Sequence, residues 1–354
     1  MDTKVVSIEE DQIDDKAKEY LKEAGEIIKK GGLVAFPTET VYGLGGDALN
    51  PESSKKIYAA KGRPSDNPLI VHIADMEHLG KIVKSIPAEA YKLAEKYWPG
   101  PLTMIMDKAD CVPYETTGGL DTVAVRMPSN RIAAEFIRQS GGYIAAPSAN
   151  ISGRPSPTEA KYCIEDLDGK VQMIIDGGKV GIGLESTIID LTVSPPMILR
   201  PGYITREKLQ AIVEEVRVDK TILDSNSKEA PKAPGMKYRH YAPKGNLKIV
   251  EGKQEEVISY INEKISELEP GSEKTGVIAT TESASFYKAD VVKIAGNRDD
   301  EDEIARNLFS ILREFDDENV SVIYSEAFND TGVGQAIMNR LLKAAGHQVI
   351  DLGR

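Results

Sequence analysis

The sequence predicts an α/β protein of two domains, a larger one on a wide twisted sheet and a smaller, doubly wound one. Three observations carry this. Through the first 216 residues, short apolar segments of strand length recur between amphipathic segments of helix length. Over 217–245 the apolar periodicity fades, and Ser225, Asn226, Ser227, Pro231, Pro234 and Gly235 gather in its place. From 246 to 354 strand-like and helix-like segments alternate again. A chain of 354 residues is comfortable for two domains.

The elements follow in order. Ala17, Tyr20, Leu21, Ala24, Ile27 and Ile28 recur at three and four, so 14–30 is a helix that Gly31-Gly32 stops. Leu33–Phe36 is a strand that delivers a polar, glycine-permissive loop through 45. Asn50-Pro51 opens a helix over 52–60, with proline in the first turn. Leu69–Ile73 is a strand, and 87–97 an amphipathic helix ending at Trp98-Pro99-Gly100-Pro101. Strands are expected at 102–106, 122–127, 143–146, 171–175, 185–191 and 197–200, with helices near 130–139 and 205–214. In the second domain, strands fall at 247–250, 275–279, 291–294 and 320–324, and helices at 254–268, 301–315 and 333–345. The run Asp299–Glu303 reads as a solvated helix start, where carboxylates complement the dipole. The turn Asp330–Gly334 reads as a tight strand-to-helix turn before a phosphate site.

Composition narrows the function. The net charge is −12 but uneven: residues 31–210 hold 19 basic and 21 acidic residues, residues 246–354 hold 12 and 21. A nucleic-acid clamp would show a basic stripe, so tight nucleic-acid binding is not expected. Nothing approaches a membrane span, and the acidic, lysine-studded first thirty residues do not resemble a secretory signal. Cys111 and Cys163 stand alone, which argues against zinc and for reduced thiols in a cytoplasmic protein.

Two polar pairs draw the eye. Lys61 and Arg63 are two apart, and so are Ser148 and Asn150. In extended segments such pairs project to one side, one cationic, the other neutral donors and acceptors. That suits a small planar anion with a polyphosphate. No GxxxxGK[ST] occurs, which excludes a P-loop, and any nucleotide would be held by scattered cations and hydroxyls. Arg126, between Val125 and Met127, is a cation on an apolar strand and needs a partner.

FPTETVYGLG (36–45), KGRPSDNPLIVHI (61–73), WPGPLT (98–103), TVAVRMP (122–128), APSANISGRPSPT (146–158), ESTIID (185–190), LRPG (199–202) and PGMKYRHYAP (234–243) run in order along the chain. With them the sequence resembles the threonylcarbamoyl-AMP synthase family in its long form. The resemblance implies a YrdC-like open concave sheet over 1–216, a linker or lid over 217–245, and a smaller Rossmann-like α/β domain over 246–354. It implies that L-threonine, bicarbonate and ATP give threonylcarbamoyl-AMP and pyrophosphate, the product passing to the tRNA-modifying transferase machinery. It also implies ATP contacts at Arg63, Asn67, Thr122, Ser148, Ser156 and Arg200, and L-threonine contacts at Thr40, His72, Arg126, Ala146 and Ser186.

The chemistry of these residue types agrees. Arg126 offers a planar cation to a carboxylate, while Thr40, His72 and Ser186 form a polar wall. Lys61, Arg63, Ser148 and Asn150 are the candidate catalytic residues: the cations neutralise triphosphate and carbonate, the neutral pair orients them. Threonine's amine attacks the carbonate, and the carbamate then attacks the α-phosphorus. Mg²⁺ is expected on the phosphates, with no dedicated protein site. The basic, aromatic stretch 234–243 reads as a lid, with Tyr241 reaching the nucleotide. A related module of hydrogenase maturation is a competing reading, disfavoured by the isolated cysteines. A double-stranded RNA-binding module is another, disfavoured by charge.

Overall fold

The computed structural model describes residues 2–219, 222, 241–269 and 271–353. They form two compact units. The first takes the described residues up to 152 and from 156 to 222; the second takes 153–155 and the described residues from 241 onward.

The first unit carries β1 (Lys4–Ser7), β2 (Val34–Phe36), β3 (Gly43–Asp47), β4 (Ile70–His72), β5 (Leu102–Asp107), β6 (Thr122–Arg126), β7 (Ile144–Ala146), β8 (Met173–Asp176), β9 (Thr187–Asp190), β10 (Met197–Arg200) and β11 (Arg217–Val218). They join in one mixed sheet in the order β1-β8-β2-β3-β7-β4-β6-β5-β9-β10-β11. The helices Asp15–Lys29, Pro51–Lys61, Ala88–Tyr97, Arg131–Gln139 and Ala160–Leu167 flank it.

Local chemistry sets these boundaries. The Asp14 carboxylate accepts from Ala17 N at 2.7 Å and starts the first helix, whose Leu21, Ala24 and Ile28 are fully buried. Asn50 caps Pro51–Lys61, and Gly62 ends it at φ 62°, a left-handed conformation that glycine adopts without strain.

One segment departs from expectation. The stretch after Phe36 is not a loop through 45: Gly43–Asp47 is a strand antiparallel to β2. Its glycines are needed for close packing. A Cβ on Gly45 would sit 2.9 Å from Ile144 Cγ2 and 3.1 Å from Phe36 Cε1. Tyr42 is fully buried, its hydroxyl donating to Gly178 O at 2.7 Å, so it belongs to the core.

Strand alternation gives the sheet two unlike faces. Val71, Val123, Val125, Met104 and Ile189 join the main core. Ile70, Ile105, Ala124, Ile188 and Leu199 form a small separate cluster on the other face. On that second face alternation also places Thr122, Arg126, His72 and Thr103.

The second unit is a parallel sheet of β12 (Asn246–Glu251), β13 (Thr275–Ala279), β14 (Val291–Ile294), β15 (Val322–Glu326) and β16 (Val349–Asp351), in the order β14-β13-β15-β12-β16. The helices Gln254–Ser266, Glu301–Asp317 and Gly332–Ala344 connect these strands. Asp300 caps the second of these, accepting from Glu303 N at 2.9 Å, as the acidic run predicts. β15 starts two residues later than expected, because Val320 N still closes the preceding helix on Phe315 O. The turn 330–334 is tight: Gly334 N donates to the Glu301 carboxylate at 2.9 Å, and the chain's own anion occupies that amide.

Candidate active site

One part of the candidate site is built on register. His72 of β4 pairs with Arg126 of β6, and Arg126 with Thr103 of β5. Three polar side chains therefore stand in one row. Arg126 is 4% exposed. Its Nη1 donates to Thr40 Oγ1 at 2.8 Å and its Nε to Gly100 O at 3.4 Å. Its Nη2 lies 2.7 Å from Glu39 Oε1, a contact of charges without hydrogen-bond alignment. Thr103 Oγ1 is 2.7 Å from Ser186 Oγ, which in turn accepts from Arg200 Nη2 at 3.1 Å. Arg200 Nε also holds Ser186 O at 3.0 Å. The row thus runs unbroken from His72 to Arg200. Ala146 borders it, paired with Ile70 on β7.

His72 is neutral here. Burial, and then the positive charge of Arg126, push its pKa from the usual 6.5 down to about 3. Its Nδ1 lies 3.1 Å from Ile70 O, and Phe36 meets the ring edge-on at 6.1 Å.

The anion side differs from the sequence expectation in one respect. Lys61 and Arg63 do not share an extended segment. Lys61 is the last residue of its helix and Gly62 turns the chain, so spacing by two does not align them. Lys61 Nζ donates to the backbone carbonyls of Ser148 and Asn150 and lies 3.5 Å from Asn150 Oδ1. Ser148 Oγ donates to Asn150 Oδ1 at 2.5 Å. The two pairs do meet, then, but through lysine on the backbone of 148–150. Arg63 Nε and Nη2 donate to Asn67 O and Pro68 O at 3.2 and 3.0 Å. Asn67 is buried with its Oδ1 unbonded, and Ser156 Oγ donates to Glu185 Oε1 at 2.6 Å. Thr122, half-buried, opens β6 four residues before Arg126, roughly 13 Å along the same face.

Of the lid stretch, residues 234–240 lie outside the described residues. Tyr241 is buried in the second unit, its ring 5.0 Å from that of Phe309 and its φ 64°. Sequence reasoning assigned nothing to Glu39, Thr103 or Glu185. Only strand register reveals Thr103, whereas Glu39 stood in view as the one ionisable residue of 36–41.

A buried guanidinium in a row of hydroxyls, and a lysine-pinned loop in the same unit, are groups suited to binding anions. The comparisons give the chain a family. Residues 26–202 match the Sua5, YciO and YrdC family, described as "Telomere recombination", and residues 204–346 match the threonylcarbamoyl-AMP synthase C-terminal domain. A threonylcarbamoyl-AMP synthase of Pyrococcus abyssi is 50% identical over 93% of this chain and 95% of that protein. One of Bacillus subtilis is 49% identical over 93% and 94%. The crystal structure of P. abyssi Sua5 complexed with L-threonine superposes with TM-score 0.93 at 47% identity, covering 99% of this chain and 100% of that one. The chain belongs to the threonylcarbamoyl-AMP synthase family, in its long two-domain form. It is a nucleotidyltransferase that makes L-threonylcarbamoyladenylate, the intermediate for threonylcarbamoyladenosine in tRNA.

Proposed function

We propose that the His72–Arg126–Thr103–Ser186 row is the L-threonine site and that Lys61, Arg63, Ser148 and Asn150 serve the ATP phosphates and bicarbonate. The observation that carries this is Arg126: buried, held by Thr40, with one nitrogen free of hydrogen bonds. Glu39 lies beside that nitrogen and offsets its charge but leaves its hydrogen bonds unmade, and a substrate carboxylate would complete them. A substrate carboxylate on Arg126 leaves the substrate's hydroxyl and methyl to Thr40, neutral His72, Ser186 and Ala146. ATP then extends along the same face toward Asn67 and Thr122, with Ser156 and Arg200 at its flanks.

Carbamate formation and attack on the α-phosphorus need little covalent help from protein. Positioning and charge neutralisation supply the rate. Lys61, Arg63, Ser148 and Asn150 offer ammonium, guanidinium, hydroxyl and amide groups, so Mg²⁺ would enter with ATP as its phosphate- and water-bound counterion. Residues 1–216 would carry the chemistry, 217–245 the linker or lid. The adenylate would pass to a tRNA-modifying transferase in the cytoplasm. The test is incubation with ATP, bicarbonate and L-threonine. Pyrophosphate and the adenylate should appear only with all three, and pyrophosphate release at the same rate without an amino acid would refute the reading.

A further inference from the structure

The threonine row contains an internal ion pair that the reaction does not explain. Glu39 lies between Thr38 and Thr40, and its backbone neighbourhood is clamped: Ile182 N donates to Glu39 O at 2.9 Å, and Gly183 N to Thr40 O at 3.1 Å. Thr38 Oγ1 donates to Val41 O at 2.7 Å and closes the turn. The Glu39 carboxylate, its side chain 13% exposed, is by contrast held by no hydrogen bond. It touches Arg126 Nη2 at 2.7 Å, yet both carboxylate oxygens and that nitrogen are buried with their hydrogen bonds unmade. Three unsatisfied polar atoms on two opposite charges, side by side, match a ligand that carries both charges itself. An α-amino acid is such a ligand.

We infer that Glu39 is the residue that selects for the substrate's α-ammonium group: an incoming amino acid parts the Glu39–Arg126 pair, placing its carboxylate on Arg126 and its ammonium on Glu39. The inference rests on the threonine site proposed above. Arg126 is fixed by Thr40 and Gly100, so the carboxylate position is set first. Glu39, lacking such ties, swings to meet the ammonium. His72 is neutral and does not compete for it. Proton balance favours the same assignment. An ammonium and a bicarbonate give a carbamate, a water and one proton, and Glu39 taking that proton leaves a neutral acid beside the new anion.

The test is calorimetric titration of the full chain with L-threonine and with its α-hydroxy acid counterpart, in which a hydroxyl replaces the ammonium. The unsubstituted chain should prefer threonine by on the order of 100-fold, the scale of losing one partner of a desolvated charge pair. Glu39→Gln should cut that preference to less than about fivefold. Glu39→Asp, which keeps a charge beside Arg126 and guards against a folding defect, should retain part of it. Equal affinity for the two compounds on the unsubstituted chain, or an unchanged preference in Glu39→Gln, overturns the role of Glu39 alone. No binding of L-threonine by the unsubstituted chain, with ATP present or absent, overturns the threonine site and this inference with it.

Discussion

Replacing Lys61 by methionine should destabilise the first unit as well as stop catalysis. The side chain is 2% exposed, and its ammonium joins the end of its helix to the carbonyls of Ser148 and Asn150. Methionine keeps the apolar stem and removes the charge. Two carbonyls, one buried and one half-buried, then lose a charged donor, each at about 1–3 kcal/mol. The sum, about 2–6 kcal/mol, brackets the cost of breaking a buried charged contact. Trp98, the single tryptophan, is buried in the first unit, so its fluorescence during urea unfolding reports that unit. With a slope of about 2 kcal/mol per molar, the midpoint should fall by roughly 1–3 M. The adenylate-forming rate should drop by on the order of 100-fold or more. A midpoint within about 0.3 M of the unsubstituted chain would refute the reasoning and make Lys61 a loop cation that only meets substrate.

Other outcomes follow from the same geometry. His72 is held at about 3 against an ordinary 6.5, so the unfolded chain binds its proton first. Stability from this source is complete above about 6.5 and is lost as pH falls toward 3, on the order of 5 kcal/mol in all; the pH dependence of urea midpoints should flatten over that window in His72→Gln. Gly45→Ala places a methyl 2.9 Å from Ile144 Cγ2 and should cost about 1–3 kcal/mol, read as a lowered Tm. Tyr241→Ala removes a ring from Phe309 and should cost the second unit about 3 kcal/mol, seen as faster amide exchange along Glu301–Asp317. Unchanged exchange there would return Tyr241 to the nucleotide side.

The candidate site's residue types stood out in one dimension. The cations at 61 and 63 and the polar pair at 148 and 150 suggested an anion by their grouping, and Arg126 suggested one because a cation among apolar residues needs a partner. The helices were readable where periodicity met a start or stop signal, as with Gly31-Gly32 or Asn50-Pro51. The acidic run at 299–303 was readable because a helix start welcomes carboxylates. Tertiary structure decided what depends on register and on close approach. Gly43–Asp47 looked like a loop since glycine has low strand propensity; pairing with β2 and β7 makes it a strand, and Phe36 and Ile144 leave no room there for a Cβ on Gly45. Spacing by two suggested that Lys61 and Arg63 point together, but a helix ending at Lys61 sends the lysine to the carbonyls of 148 and 150. Thr103 became a site residue only when β5 paired with β6, and the Glu39–Arg126 contact spans 87 positions that no local pattern connects. Side-chain chemistry is written residue by residue, whereas which groups share a place is settled by strand pairing and packing across the sheet.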